Sequence, residues 1–329
     1  MAHKKLSREL LPVGLLTAVC FAAFLKEPRF FDPKSINSIL MWMPLITVAA
    51  MGQLVVIVMR GIDISIGSII GFSAIAVGMI LRDQPGLPIW LALLMGLGIG
   101  AVLGTINASL ITWGRLSPIV VTIGTLTAFR GATFLLSRGE QIDPSMIPDS
   151  LTGLASQGLR IGGVVVSYLL LIALAVGAVT YLFLRFTQLG RDIFAFGSNP
   201  EAAHLRGISV KQITFMGYTL CGAAAGLTGV MYAGRFGFAN PGTAGQNFEL
   251  NVIAAVAIGG VKISGGYGTV FGVLMGCLLL SCINVALSVL GIGADWQMVT
   301  YGAIILIALT IDGLARSVRD RRLMLQGAQ

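Results

Sequence analysis

The sequence is short of charge. Only 11% of its 329 residues are Asp, Glu, Lys or Arg, whereas 56% are hydrophobic. Soluble domains average roughly 25% charged residues. Too few polar residues remain to cover a surface in water, so the composition excludes an ordinary soluble domain and indicates a polytopic membrane protein. The 43 glycines agree with this interpretation, because small residues let membrane helices pack closely.

Several kinds of chemistry lack the residues to carry them. The two histidines, His3 and His204, cannot form a histidine-rich metal site, and the four cysteines form no CxxC pair. No GxxxxGKS or GxxxxGKT phosphate loop, HExxH or GxSxG is present. We therefore expect a non-catalytic chain without metal or cofactor. The energy for any transport would come from a separate subunit or an ion gradient.

Apolar runs fill most of the chain and predict an all-α fold. A helix needs about 20 mostly apolar residues to cross a bilayer. About ten segments are candidates, and 1–329 is read as a single transmembrane domain. The segment 249–262 is short, so we expect a partial or tilted span there. The candidates are 9–25, 37–58, 64–81, 88–112, 118–137, 164–184, 213–233, 249–262, 268–290 and 296–314.

The basic residues predict the orientation of this bundle. With ten spans and both termini in the cytoplasm, 14 Lys and Arg fall in cytoplasmic segments and 7 in outer ones. This bias fits the positive-inside rule. The net charge of +8 is then explained by anchoring to the lipid bilayer, with no nucleic acid required. The charged-then-apolar N-terminus is also typical of a signal peptide, but KEPRFFDPK follows it where a small-residue cleavage site would stand, which favours an uncleaved helix.

The predicted cytoplasmic loop 187–212 contains the signals of a short helix. Asn199 suits an N-cap, Pro200 suits the first helical position and Gly207 suits a left-handed stop. Glu201 and Arg206 complement the two ends of the helix dipole. About two turns are expected, too few to be stable alone in water. The helix therefore docks either on its own bundle or on a partner.

Two glycine-rich stretches suggest an internal repeat. Gly61–Gly71 and Gly260–Gly272 align with a two-residue insertion, which sets Asp63 opposite Lys262. Glycine-rich chains also give such matches by chance, so duplicated halves and coincidence both stay open. The charge count places Asp63 at a cytoplasmic turn beside Arg60, where a carboxylate is tolerated, and predicts a hinge there.

Four stretches resemble the motifs of one family. They are GIDISIGS (61–68), TIGTLTAFRG (122–131), FGSNPEAAHLRGI (196–208) and ELNVIAAVAIGGVKISGGYGTVFG (249–272). In this order and spacing the chain resembles, over nearly its whole length, the membrane subunits of bacterial ABC importers for simple sugars, including autoinducer-2 importers. Many sugar permeases have two glycines where this chain has Arg60–Gly61, and the autoinducer-2 type departs there as well.

The resemblance implies that the helix near 199–207 is a coupling helix, which sits in a cleft of a cytoplasmic ABC ATPase subunit. It implies two further partners, a periplasmic solute-binding protein and a second permease subunit, identical or homologous, in the bacterial inner membrane. The periplasmic loop 138–163, together with 234–248, is the expected landing surface for the binding protein. The residues assigned to ATPase coupling are Asn199, Glu201, Ala202, Ala203, Arg206 and Gly207.

The expected cargo is a small sugar or sugar-like solute: a pentose, a deoxy sugar or autoinducer-2. The alternative is an ion-coupled secondary transporter, which the position of Asp63, Glu249 and Asp312 near span ends disfavours. Buried polar side chains either join helices or line a pathway, and both roles stay open. The candidates for pathway or gating are Gln53, Asp63, Ser65, Asn107, Arg130, Asn251, Lys262 and Asn284.

Overall fold

Helices make up most of the computed structural model, which describes residues 2–293 and, beyond them, 296, 298–300, 302–303, 306–307 and 310. Two short 3-10 turns, Pro28–Phe31 and Pro144–Met146, accompany the helices. The helices are α1 (Ala2–Lys26), α2 (Pro33–Val58), α3 (Ile66–Asp83), α4 (Ile89–Thr112), α5 (Pro118–Ser137), α6 (Asp149–Ser156), α7 (Tyr168–Phe186), α8 (Gln188–Ser198), α9 (Pro200–Leu205), α10 (Val210–Phe236), α11 (Phe248–Ile258) and α12 (Val270–Val289). The strands are β1 (Gly158–Ile161) and β2 (Val164–Ser167).

In the described part of the chain, seven helices are long and apolar enough to cross a membrane: α2, α3, α4, α5, α7, α10 and α12. This confirms a polytopic membrane protein. The apolar helices Val13–Lys26 and Phe248–Ile258 are shorter. Most of the predicted span 296–314 lies outside the described residues. The count of ten spans and the side on which the termini lie therefore stay predictions.

The span predicted at 164–184 starts too early. Residues 164–167 instead form β2, which pairs antiparallel with β1 from Gly158↔Ser167 to Ile161↔Val164. Gly162 (φ 55°) and Gly163 (φ 87°) form the turn, as expected for two central hairpin residues with positive φ. The helix begins after the hairpin because the Ser167 hydroxyl accepts the N–H of Leu170 at 3.3 Å. The bundle end with this hairpin is called the hairpin end, and the opposite one the α8 end.

Helix α2 lies at the centre of the bundle. Within its most apolar stretch 89% of the residues are buried, compared with 28% in α4, α5 and α7. Helices α7, α10, α11 and α12 all contact it. A helix that is apolar on every face is expected in such a position. The outer faces of α4, α5 and α7 are left for lipid or for another protein.

Helices α4 and α10 pack with their backbones in contact. Gly96, Gly100 and Gly104 recur every fourth residue along α4 and face Gly222 and Gly226 of α10. A Cβ at Gly100 would collide with the carbonyl oxygen of Gly222 and would lie 2.7 Å from the Cα of Gly226. Small residues at four-residue spacing permit this approach in membranes.

The crossing predicted at 249–262 is broken. Helix α11 has 11 residues, about 16 Å of helix, which is half of the ~30 Å hydrocarbon core. Before it, residues 238–247 run without helix beside α3: Ile142 lies close to Gly78 and forms a bridge with Ala239, while Ala244 and Gly245 lie against Gly71. Non-helical backbone at membrane depth is tolerated where protein covers it. The structure has this short helix at 249–262, where it ends at Ile258, and a partial or tilted span there stays a prediction.

The contact between α4 and α10 predicts a large difference between two neighbouring glycines. We expect Gly100→Ala to lower the free energy of unfolding by about 1–3 kcal/mol, because backbone atoms cannot yield to the added methyl group. Gly98→Ala is the matched control, since nothing lies within 4 Å of its Cβ position. Thermal unfolding in detergent measures both, and equal melting temperatures would contradict this packing.

Candidate functional site

The predicted helix near 199–207 is present as α9. The Asn199 side chain accepts the N–H of Ala202 at 3.1 Å, and Pro200 is the first helical residue. Gly207 follows with φ 76°, which is the left-handed stop expected from the sequence. The cap, the first position and the stop were all predictable, because each depends on a local conformational preference.

Helix α9 exposes most of its surface. Ala203 is buried, whereas Glu201, Ala202, Arg206 and Gly207 are exposed. Leu205 is 88% exposed, which is unusual for so large an apolar side chain, and it was not among the predicted coupling residues. The exposed face of α9 thus presents one large apolar side chain, Leu205, between the charged residues Glu201 and Arg206.

A second helix supports α9 and was not predicted. Helix α8 begins at Thr187, whose hydroxyl accepts the N–H of Gly190 at 3.0 Å. Its buried face carries Gly190, Ile193 and Gly197, and it contacts α2, α7 and α10. The spacing of these three residues, which places them on one face of a helix, is the sequence signal from which α8 could have been predicted. The pair α8–α9 is therefore attached to the bundle through α8, while α9 projects from it.

The end of α8 meets the ends of two other elements. The N–H of Gly266, in the turn between α11 and α12, donates to the carbonyl of Val58 at 2.8 Å. The Ser198 hydroxyl donates to the carbonyl of Gly266 at 3.3 Å. Gly197 is so close to the Val58 carbonyl that a Cβ would collide with it. We call this meeting point, formed by 58–60, 197–198 and 266, the three-way junction.

Asp63 lies at a turn, as predicted, but it is fully buried. Its Oδ1 accepts the N–H of Ser65 at 2.9 Å and the hydroxyl of Ser65 at 2.6 Å. Burial raises the pKa of the Asp63 carboxyl from 3.8 to about 6, and the hydrogen bonds from Ser65 oppose that rise. Reading this turn as a place where a charge is readily tolerated was therefore wrong. The apolar helices around the turn exclude water from it.

Three further polar side chains converge on this turn. Asn107 of α4 donates to the Ser65 hydroxyl at 2.8 Å, and Tyr218 of α10 donates to the carbonyl of Ile62 at 3.4 Å. Cys221, one turn further along α10, donates to the Gln53 amide oxygen at 3.7 Å. The structure thus brings four of the predicted pathway residues together: Gln53, Asp63, Ser65 and Asn107. We call them, with Tyr218 and Cys221, the buried polar cluster.

This cluster keeps unused hydrogen-bonding capacity. Asp63 Oδ2, Gln53 Nε2 and Asn107 Oδ1 are buried without a hydrogen-bond partner. Leaving buried polar groups unpaired is unfavourable by about 1–3 kcal/mol each. Such a cluster is suited to a place where contacts are exchanged between two arrangements of the helices.

Arg130 holds the broken crossing. From α5, its Nη1 donates to the carbonyl of Ala244 at 2.5 Å. Glu249, in the first turn of α11, is close to Gly67 of α3, and its Oε2 has no hydrogen-bond partner. A cation near a carboxylate and a backbone carbonyl offsets part of the unfavourable free energy of removing the two charges from water. Arg130 therefore has at least the structural role that the sequence left open.

The remaining predicted pathway residues lie elsewhere. Asn251 is on α11 with its side chain nearly buried, and Lys262 places its Nζ 6.0 Å from the centre of the Tyr267 ring. Asn284 lines a cavity of about 350 Å³ at the hairpin end, together with Trp42 and Arg235. The eight predicted residues do not form one continuous site.

The two repeated stretches end their helices in the same way. The N–H of Gly61 donates to Val56 at 2.9 Å, and the N–H of Val261 donates to Val256 at 3.3 Å. The preceding residues, Arg60 (φ 69°) and Gly260 (φ 77°), are both left-handed. The two caps are equivalent when Arg60 is aligned with Gly260, whereas the sequence alignment paired Gly61 with Gly260. Asp63 and Lys262 are therefore not equivalent positions at these helix ends. Duplication of whole halves stays a prediction.

The predicted outer loops also meet. Ile142 and Ala239 exchange backbone hydrogen bonds of 2.8 and 3.0 Å, and Asn240 donates to the Gln141 side chain at 3.3 Å. Residues 138–163 and 234–248 therefore share one surface at the hairpin end.

A buried central helix, a broken crossing and a projecting capped helix describe a multi-pass, mainly helical membrane protein. The family described as branched-chain amino acid transport system / permease component matches residues 35–309. The chain belongs to this family. The resemblance to simple-sugar import permeases that the motifs indicate is confirmed by the relatives.

Three of these relatives are representative. A ribose import permease protein of Bacillus subtilis is 35% identical, and the match covers 91% of this chain and 91% of that protein. A fructose import permease protein of Rhizobium meliloti is 33% identical over 93% of this chain and 85% of its own length. An autoinducer 2 import system permease protein of Enterobacter sp. is 32% identical over 90% and 83%. No solved structure shows a significant match.

The buried carboxyl predicts a pH dependence of stability. Because the folded-state pKa of Asp63, about 6, lies above its ordinary value of 3.8, the folded protein holds an extra proton between these values. The free energy of unfolding should then fall as the pH rises from 4 to 6, by about 1–3 kcal/mol. Asp63→Asn, which cannot ionise but can still accept from Ser65, should lose this part of the fall.

Melting temperatures in detergent between pH 4 and 7 measure the effect. Asp83→Asn, at an exposed carboxylate, is the control and should behave like the original chain. Parallel pH profiles for Asp63→Asn and the original chain would show that Asp63 is not the titrating group.

Proposed function

We propose that this chain is the permease subunit of an ATP-driven ABC importer that carries a small sugar or sugar-like solute across the bacterial inner membrane. The observation that carries the proposal is the pair α8–α9, in which a capped, exposed helix projects from the bundle while its supporting helix contacts α2, α7 and α10. A separate cytoplasmic ATPase subunit would bind α9 and hydrolyse ATP, and the permease itself would be non-catalytic.

The chemistry of the cargo is suggested by the relatives. Their names mention ribose, fructose, galactose and autoinducer 2. We therefore keep a pentose, a deoxy sugar or autoinducer-2 as the proposed range and extend it to hexoses, because fructose and galactose are hexoses. Polar side chains along the route are required in any case, because each unpaired hydroxyl in an apolar environment is unfavourable by a few kcal/mol.

The partners follow from the two ends of the bundle. The α8 end would face the cytoplasm and the ATPase. The hairpin end would face a periplasmic solute-binding protein through the joined surface of 138–163 and 234–248. A second permease subunit, identical or homologous, would cover part of the exposed apolar faces of α4, α5 and α7.

In the proposed mechanism, closure of two ATPase subunits pushes α9. Helix α8 passes this displacement to the three-way junction, where α2 and the turn between α11 and α12 end. The buried polar cluster lies immediately beyond the end of α2, so a shift of α2 would change its hydrogen bonds. The broken crossing before α11 gives the bundle a place where backbone can move without breaking a continuous helix.

An ion-coupled secondary transporter remains the second candidate. The observation that favours it is that Asp63 is fully buried and that Glu249 keeps a buried Oε2 without a hydrogen-bond partner, since carboxylates shielded from water in a membrane protein are typical of proton relays. ATP dependence separates the two functions. Proteoliposomes that contain the permease, its ATPase and the binding protein should take up sugar only when ATP is present on the side of the membrane that carries the ATPase. Uptake by the permease alone, driven by a proton gradient, would support the second candidate.

A charge reversal on α9 tests the coupling role. Glu201→Lys removes a carboxylate from the first turn of an exposed helix and presents the opposite charge to the ATPase. We expect ATPase co-purification and ATP-driven uptake each to fall at least tenfold, while the melting temperature of the isolated permease changes little. Normal uptake would show that α9 is not the coupling element.

Asp83→Lys is the matched control for that reversal. Asp83 is exposed at the hairpin end of α3, and its contact with Arg82 is a surface ion pair of the kind that contributes little. ATPase association should be unchanged in this variant. A similar loss in both variants would indicate a general effect of charge.

A further inference from the structure

We propose that Arg60 is a positioning residue that ties the end of α2 to the end of α8, so that movement of the coupling helix reaches the centre of the bundle. The proposal rests on the proposed function and adds to it the residue that transmits the displacement.

The guanidinium group of Arg60 binds the last two residues of α8. Nε donates to the carbonyl of Gly197 at 2.7 Å, and Nη2 donates to the carbonyl of Ser198 at 3.0 Å. The last carbonyls of a helix have no partner within the helix, and a positive charge is favourable at that end. The planar fork of an arginine fits two adjacent acceptors, which a lysine ammonium cannot reproduce.

The position of these bonds determines what they can transmit. Ser198 is followed directly by Asn199, the N-cap of α9, and Arg60 follows α2 by two residues. No flexible segment therefore separates the coupling helix from the central helix. On the other side of the same junction, Gly266 binds Val58 and Ser198. A displacement of α9 would move α8, α2 and the turn between α11 and α12 together.

The backbone at Arg60 shows that the side chain is not placed there by local preference. Its φ of 69° lies in the left-handed region, which disfavours residues with a Cβ and suits glycine. The structurally equivalent residue at the end of α11 is Gly260, with φ 77°. An arginine at this cap therefore carries a conformational penalty, and its two hydrogen bonds to α8 offset that penalty.

Arg115 provides a contrast in the same chain. It also has a left-handed φ, 53°, and lies between α4 and α5 at the α8 end of the bundle. It is exposed, and among the described residues no hydrogen bond of its side chain is found. The two arginines thus share the backbone conformation and differ in the contact with α8.

The substitution Arg60→Gly tests the contact between Arg60 and α8 separately from folding. Glycine accepts the left-handed conformation, so the helix cap is retained while both hydrogen bonds to α8 are lost. In proteoliposomes with the complete importer, we expect the sugar transported per ATP hydrolysed to fall about three- to tenfold, with ATPase association unchanged. D-ribose, D-fructose and D-galactose serve as probes, and the sugar that the original importer transports is used for all variants.

Two further variants make the result decisive. Arg115→Gly should keep the original ratio of transport to ATP hydrolysis, and Arg60→Lys should recover only part of it. An Arg60→Gly importer with the original ratio would overturn the proposal, as would an equal loss in Arg115→Gly. If Arg60→Gly does not fold in detergent, full coupling in Arg60→Lys overturns the proposal and partial coupling supports it. Failure of the proposed function would look different, because the original importer itself would then show no ATP-dependent uptake.

Discussion

The burial of residues 43–58 of α2 on every side is the constraint on which the rest of the structure depends. A helix at the centre of a membrane bundle cannot expose its terminal carbonyls to water, and every unpaired backbone group there is strongly unfavourable. The end of α2 meets this requirement with its own left-handed cap and with the N–H of Gly266 on the carbonyl of Val58. Because the hydrogen bond from Gly266 pairs a terminal carbonyl of α2, it also places the turn between α11 and α12 at the end of the central helix.

The same requirement explains why the polar residues gather where helices begin and end. The turn between α2 and α3 has backbone groups that a continuous helix would have paired. Tyr218 of α10 donates to one of them, the carbonyl of Ile62, and Asn107 of α4 donates to the side chain of Ser65 in the same turn. At the broken crossing, Arg130 does the same for the carbonyl of Ala244. In both places a polar side chain from one helix stabilises an interruption in another, and this arrangement makes the interruptions sensitive to movements of their neighbours.

The extent to which the sequence predicted these features depended on how local their causes are. The capped helix α9 could be predicted residue by residue, since Asn199, Pro200 and Gly207 each act within one or two turns. The long apolar helices followed from composition. The hairpin was missed although Gly162–Gly163 between β-branched residues signals it, because an apolar run was extended over Val164–Ser167.

Contacts between distant parts of the chain could not be read in this way. Arg60 and Gly197 are 137 positions apart, and Asn107 meets Ser65 across 42. Nothing in the spacing of either pair marks them as partners. Asp63 was correctly placed at a turn. The exposure of that turn to water depends on α4 and α10, and the approach of these helices is set by glycines more than 100 residues apart in sequence.

The structure also distinguishes parts of the bundle that resist change from parts that permit it. Helices α4 and α10 touch through backbone atoms at three positions of α4, Gly96, Gly100 and Gly104, so sliding one helix past the other would drive Cα atoms and carbonyls into each other. The non-helical residues before α11 are held at separate points instead: by Arg130, by the bridge between Ile142 and Ala239, and by the close approach of Gly245 to α3. In the proposed mechanism the displacement enters at the three-way junction, which includes the turn that follows α11. Rearrangement is therefore expected in the non-helical residues before α11 and at the end of α2, with α4 and α10 as the frame against which they move.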